Sequence, residues 1–231
     1  MSEARAAYDE WHNELGTTET DGVDTPWTKM LAPYLSSATG KRVLEIGCGR
    51  GTFARHLTGL GAASVTACDF SFAAIALASR LSDKPMFLLA DIQRIPFGSA
   101  SFDVVVSCET IEHVPEPRRA VEELVRVLRP GGHLLLTTPN YLGLTGLYRI
   151  YLRLRGRRFT EIGQPINKLT MLPITRHWVR TAGLEIIEAH TEGHYVPWPG
   201  RDPICTPRVQ RVPFVGRHLG LHSMIVASKS D

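Results

Sequence analysis

Two carboxylates and one imidazole fall within five consecutive residues, Glu109-Thr110-Ile111-Glu112-His113. An imidazole takes up a proton near neutral pH, so His113 reads as a general base, with Glu109 beside it. The same donors suit a divalent cation, which would lower the pKa of a bound oxygen. Glu109, Glu112 and His113 are therefore an alternative metal set. Upstream, the run Glu45-Ile46-Gly47-Cys48-Gly49-Arg50-Gly51 places three glycines on alternate positions. Glycines there let a ligand approach the backbone, and a helix starting beyond them offers free N–H groups. Asp69 and Asp91 each end an apolar run. A carboxylate at such a tip can accept hydrogen bonds from both hydroxyls of a ribose. His177, His190, His194, His218 and His222 are further bases by residue type.

Strands and helices must alternate to position these groups. Short apolar runs predict strands over about 41–47, 64–69, 85–90, 102–108 and 132–138. Helical spacing predicts helices over about 51–60, 71–82 and 117–128, with Ser71 as a cap of the second. Pro96 and Gly98 make 91–101 a loop. Right-handed crossovers make such strands parallel, and ligands then bind at their carboxyl ends. The G-x-G-x-G spacing differs from the G-x-G-x-x-G of dinucleotide folds.

The order E-I-G-C-G-R-G (45–51), D-F-S (69–71), A-D-I (90–92), F-D-V-V-V-S (102–107) and L-R-P-G-G (128–132) resembles the class I S-adenosylmethionine-dependent methyltransferases over about residues 41–140. The E-H-V at 112–114 and the T-P-N at 138–140 are similar to the ubiquinone-biosynthesis O-methyltransferases and their small-molecule relatives. The resemblance implies an α/β fold: a Rossmann-like three-layer α/β/α sandwich with a seven-stranded, mostly parallel sheet. Its implied strand order is 3-2-1-4-5-7-6, the last strand antiparallel. The implied cofactor is S-adenosyl-L-methionine, leaving as S-adenosyl-L-homocysteine. By the same resemblance Gly47, Cys48 and Gly49 line the methionine part, Glu45 is a further cofactor-binding residue, and Asp69 binds the ribose. Phe70 flanks the adenine, Asp91 and Ile92 meet it, and Cys108 and Glu109 lie nearest the sulfonium. An E-x-x-E-H motif is proposed to bind metal in some of these relatives. The expected reaction is in-line methyl transfer to a small-molecule hydroxyl: a phenol, sugar, lipid or natural-product intermediate. N- or C-methylation, or a non-catalytic cofactor-binding regulator, are the alternatives.

The chain of 231 residues is expected to form one methyltransferase domain. Residues 1–40 read as an N-terminal helical lid carrying Tyr8, Trp11 and Trp27, with Thr25 and Pro26 starting a helix. Residues 41–140 form the cofactor-binding core. Residues 141–172 form a basic amphipathic insertion, in which Leu147, Ile150, Tyr151 and Leu154 alternate with arginines. Such a segment is a substrate lid, an interfacial helix touching a membrane through 141–158, or a helix packed on its own domain. Residues 173–231 hold a helix at 174–182 ending at Gly183, strands at 184–190 and 223–228, and a long, proline-rich 192–220 substrate loop. Tyr195, Trp198 and Phe214 are its expected apolar walls.

Charge is uneven. Residues 1–140 carry 13 Lys/Arg and 17 Asp/Glu, a balance of −4; residues 141–231 carry 13 and 6, a balance of +7. The second half therefore suits an acidic or lipidic partner. A nucleic-acid substrate is not expected: no basic recognition module is appended, and C-E-T-I-E-H stands where a D/N-P-P-Y/F motif would. Cys48, Cys68, Cys108 and Cys205 lack metal spacing and read as reduced. With a polar N-terminus and no apolar run of eighteen residues, the expectation is a cytoplasmic protein, peripheral at a membrane if the insertion touches one.

Overall fold

The computed structural model describes residues 2–14, 25–82, 84–157, 164–198, 201–205 and 212–231. The strands described are β1 (Arg42–Ile46), β2 (Ser64–Asp69), β3 (Met86–Leu89), β4 (Phe102–Cys108), β5 (Leu128–Pro139), β6 (Leu184–Glu192), β7 (Tyr195–Trp198), β8 (Arg201–Cys205) and β9 (His222–Lys229). Seven of them form one sheet in the order β3-β2-β1-β4-β5-β9-β6, while β7 and β8 pair with each other. Pairing is parallel from β3 to β5, and β9 runs antiparallel to both β5 and β6. With β9 as the seventh strand of the sheet, this is the expected 3-2-1-4-5-7-6 order.

The helices are α1 (Ser2–Glu14), α2 (Pro26–Leu31), α3 (Thr52–Gly59), α4 (Phe72–Leu81), α5 (Pro117–Val127), α6 (Leu144–Leu154), α7 (Leu172–Thr181) and α8 (Pro213–His218). Alternation along the central strands buries both faces of the sheet. Leu44, Ile46 and Val105 join Val121, Leu124, Leu172 and Val179 of α5 and α7 in one cluster. Val43, Val104 and Val106 join Met30, Leu31, Phe53 and Leu57 of α2 and α3 in the other. Two apolar layers on one sheet make the three-layer sandwich. Thr25 caps α2 with Pro26 in its first turn, and the Ser71 hydroxyl accepts from the Ala74 amide at the start of α4.

Two expectations need correction. The fifth strand begins at Leu128, not 132, because Leu128 already pairs with Phe102; the register then shifts, and His133 pairs with Val104. Gly131, at φ +67°, lies in this bulge. The segment 192–220 is not a plain loop: it holds the β7–β8 hairpin and α8. Residues 199, 200 and 206–211, and the side chains of Tyr195 and Trp198, lie outside the described residues. In the insertion, four apolar residues of α6 face outward. Leu147, Ile150, Tyr151 and Leu154 are all exposed, Leu154 by 82%. The opposite contact is polar: the Arg149 guanidinium donates to Asn167 Oδ1 and to the Asn167 carbonyl, both at 3.0 Å, and stacks 4.5 Å from the Tyr141 ring.

Candidate functional site

A cavity of about 540 Å³ opens at the carboxyl ends of β1, β2 and β4. It brings together Glu45, Gly47, Cys48, Gly49, Asp69, Phe70, Asp91, Ile92, Cys108, Glu109 and His113, whereas the further candidate bases His177, His190, His194, His218 and His222 do not line it. Of the alternative metal set only Glu112 is not on its wall.

The turn after β1 explains the glycines. Gly47 has φ +81°, and a Cβ there would collide with the Thr110 side chain. The Gly47 and Cys48 amides both donate to the Cys68 carbonyl, at 2.8 and 2.9 Å, which ties the turn to the end of β2. The Gly49 amide donates to Asp69 Oδ2 at 2.8 Å, and the Ser71 amide to Oδ1 at 2.9 Å. Asp69 is thus fixed by backbone on both oxygens, with lone pairs left for a ligand. Asp91 Oδ1 accepts from the Gln93 amide at 2.8 Å. Glu45 lies beneath this turn, almost wholly buried, and its Oε2 has no hydrogen-bond partner. Burial, reinforced by Asp69, pushes its pKa up to about 8. A glycine cradle, a fixed carboxylate at the neighbouring strand tip and an unsatisfied acid below fit a nucleoside joined to a positively charged chain. Burial also pushes the Cys48 and Cys108 thiols up, so both stay neutral.

The other wall carries Glu109 and His113. Glu109 sits just past β4 with φ +47°, a left-handed conformation uncommon for a residue with a Cβ. Its Oε2 lies 3.3 Å from His222 Nδ1, and its Oε1 is buried without a partner. His113 Nδ1 donates to the Ile166 carbonyl at 2.7 Å, and Nε2 faces Glu112 Oε1 at 3.4 Å. Burial lowers the His113 pKa, against the opposing pull of Ile166 and Glu109. Glu112 is fully buried in the core, where its Oε2 accepts from Thr138 Oγ1 at 3.0 Å. Glu112 and His113 thus face each other through one pair of atoms, while Glu109 turns to His222. Among the described residues, no group of three His, Cys, Asp or Glu is placed to hold a metal ion.

Helix α1 covers the cavity and contributes Tyr8, Trp11 and His12 to its wall. Asp9 Oδ1 accepts from Ser71 Oγ at 2.6 Å and the Ala73 amide at 3.0 Å, which docks α1 on the start of α4. The Tyr8 hydroxyl donates to the His113 carbonyl at 3.2 Å. Arg50 donates to the His12 carbonyl, and the Arg5 guanidinium lies 4.8 Å from the Phe70 ring centre. Sequence reasoning missed His12, Thr110, Gln93, Gln164 and Ile166 as wall residues. Of these, only Thr110 stood inside a nominated motif.

A methyltransferase-domain family model matches residues 44–136. The 27-O-demethylrifamycin SV methyltransferase of Amycolatopsis mediterranei is 30% identical over 195 residues, covering 80% of this chain and 68% of the relative. The demethylmenaquinone methyltransferase of Clavibacter sepedonicus is 31% identical over 205 residues, 81% of this chain and 82% of the relative. The phthiotriol/phenolphthiotriol dimycocerosates methyltransferase 1 of Mycobacterium ulcerans is 45% identical over 122 residues, but the match spans only 45% of that protein. Among solved structures, a Haloferax volcanii complex of a methyltransferase with the Trm112 activator aligns with a TM-score of 0.68 at 21% identity, covering 99% of this chain and 98% of its own, a likeness of fold. With the sheet order, the glycine turn and these relatives together, the chain belongs to the S-adenosylmethionine-dependent methyltransferases.

Proposed function

We propose that this methyltransferase acts on a hydroxyl oxygen of a small molecule. The observation that carries the reading is the convergence of Asp69, Glu45, Glu109 and His113 on one cavity, nucleoside-type groups on one side and proton acceptors on the other. When bound, S-adenosylmethionine supplies a methyl group already activated on a sulfonium. The Gly47–Gly49 turn and Glu45 hold its amino-acid part, Asp69 its ribose, and Phe70, Asp91 and Ile92 its base. Glu109 and His113 are the groups that would take the hydroxyl proton. Helix α1 serves as the cover that keeps water out. Small-molecule acceptors are supported by relatives named for rifamycin, menaquinone and phthiotriol substrates. Calorimetric titration with S-adenosylhomocysteine, then with NADH, tests the cofactor: binding of the first alone is expected, and binding of neither would overturn the reading. Transfer of labelled methyl groups to phenols, sugars and hydroxylated lipids tests the acceptor. Products methylated only at nitrogen or carbon would move the acceptor atom.

The exposed stripe of α6 favours a lipid surface as the place where the enzyme meets its substrate. Arg153, Arg155 and Arg157 are exposed beside Leu147, Ile150, Tyr151 and Leu154, and the chain has no acidic residue between Glu123 and Glu161. An apolar face flanked by arginines suits an interfacial helix on anionic lipid. Among the described residues no helix is long and apolar enough to cross a membrane. Co-sedimentation with anionic vesicles at low salt is the expected result, and its absence would remove the lipid contact.

A further inference from the structure

Glu109 is the least explained residue of the cavity. It holds a left-handed backbone at φ +47°, with its amide donating to the Thr137 carbonyl at 3.1 Å. From there its side chain reaches past the end of β5 to His222 on β9, at 3.3 Å. The Trp27 ring lies 5.4 Å from the His222 ring, and Trp27 itself lines the cavity. One carboxylate oxygen is therefore held, and the other is buried with no partner. A buried, unpaired carboxylate oxygen in a cavity wall calls for a donor from a ligand or water. His113 offers less. Its Nδ1 is committed to a carbonyl, which can only accept, so the remaining basic nitrogen is Nε2, and this faces Glu112.

We propose that Glu109 accepts the proton of the acceptor hydroxyl, and that His222 is the positioning residue that orients it through an Nδ1–H to Oε2 hydrogen bond. The proposal rests on the hydroxyl-methylation reading above. The acceptor O–H bond breaks, its electron pair stays on oxygen, and the proton passes to Glu109 Oε1. The oxygen binds the methyl carbon as the carbon–sulfur bond breaks, with that pair going to sulfur. The proton then leaves to water, and no further reactant is required. The titratable groups that interact with the pair are Cys108 at the end of β4, His113 on the segment leaving it, and Glu192 opposite His222 in the β6–β9 register.

The first test reads the histidine itself. Nitrogen-15 spectra of histidine-labelled protein, saturated with S-adenosylhomocysteine, should show His222 as the Nδ1–H tautomer. In Glu109→Leu the ring should lose that preference, because the hydrogen bond made by one nitrogen sets the tautomer. A His222 signal unmoved by Glu109→Leu would overturn the pair even if the cofactor binds normally. The second test uses an acceptor found by the methyl-transfer screen. Glu109→Gln should lower kcat about 100-fold or more, the scale of a lost general base, while S-adenosylhomocysteine affinity stays within about twofold. His222→Leu should lower kcat about tenfold with KM little changed, and His222→Asn, which keeps a side-chain N–H, should recover much of it. Wild-type kcat in Glu109→Gln, or a larger loss in His113→Gln, would overturn the assignment. Absence of transfer to every hydroxyl would count against the methylation reading, and the tautomer would still decide the pair.

Discussion

Asp69 and Glu109 stand at the ends of strands on opposite walls of one cavity, and they are held in different ways. Asp69 is fixed by amides 20 residues before it and 2 residues after it. Glu109 is held by an imidazole 113 residues away. The wall formed by β1, β2 and their turns is backbone-made and local. The wall formed beyond β4 is held by contacts between distant parts of the chain: Tyr8 to the His113 carbonyl, His113 to the Ile166 carbonyl, and Glu109 to His222 behind it. A local wall can serve one unvarying ligand through a short motif. A wall of distant side chains can be rebuilt for a new acceptor without disturbing the first.

The largest expected effect falls on the local wall. Asp69→Ala removes the acceptor for two backbone amides as well as the proposed ribose contact. S-adenosylhomocysteine affinity should fall roughly 100-fold or more, about 3 kcal/mol. Equal affinity in a calorimetric titration would break the contrast, since the local wall would then not be the binding wall.

Glu45 sharpens it next. Its pKa in the ligand-free protein is raised from 4.5 to about 8, so the folded state holds a proton that the unfolded chain has released. Between those values the folded state binds more protons, and stability must fall as pH rises. The full effect above pH 8 is on the order of a few kcal/mol for a group this buried. Glu45→Gln should flatten the decline in denaturant titrations across pH 5 to 8. An unchanged slope would mean that Glu45 is ionised and already satisfied without ligand.

Glu109 and Glu112 test the distant wall, three residues apart in sequence but in different surroundings. Glu112→Ala leaves Thr138 Oγ1 without one of its buried partners and opens space in the core. A loss of about 1–3 kcal/mol of stability is expected. Glu109→Gln keeps the shape and ends in a polar group at the cavity, so its stability cost should be under about 1 kcal/mol while turnover falls. Denaturant midpoints that reverse this order would show that the two acids have been assigned to the wrong surroundings.

The same contrast governs what could be read before the fold was known. Val43 to Ile46, the alternate glycines and the acids ending β2 and at Asp91 announce their positions through strand period and turn chemistry, because their partners are near in sequence. The E-T-I-E-H run announces two acids and an imidazole but not where each points. One 3-10 turn, Ile111–His113, puts Glu112 in the core while leaving Glu109 and His113 on the cavity. The choice of His222 among five candidate histidines depends on the β5–β9–β6 register, which no local pattern encodes. The early start of β5 escaped for a related reason: Leu128 to Gly132 fell between the expected helix 117–128 and strand 132–138, whereas pairing of Leu128 with Phe102 absorbs Pro130 to Gly132 as a bulge.

Helix α6 turns the usual relation of residue type and burial around, and the smallest effects test it. Leu147 and Leu154 are outside and one arginine is its anchor. Leu154, 82% exposed, gives up little packing on replacement, so Leu154→Ser should change stability by less than about 0.5 kcal/mol. Arg149→Ala removes two hydrogen bonds to Asn167 and the stacking on Tyr141, and should cost about 1 kcal/mol. Vesicle binding should respond in the opposite order. Leu154→Ser removes apolar area from the exposed face and should weaken co-sedimentation several-fold, since each buried methylene is worth about 0.8 kcal/mol. Arg149→Ala, whose charge is already engaged on the domain, should weaken it less. A Leu154→Ser variant that loses stability but not vesicle binding would place the stripe against protein, and the acceptor would then have to reach the cavity from solution.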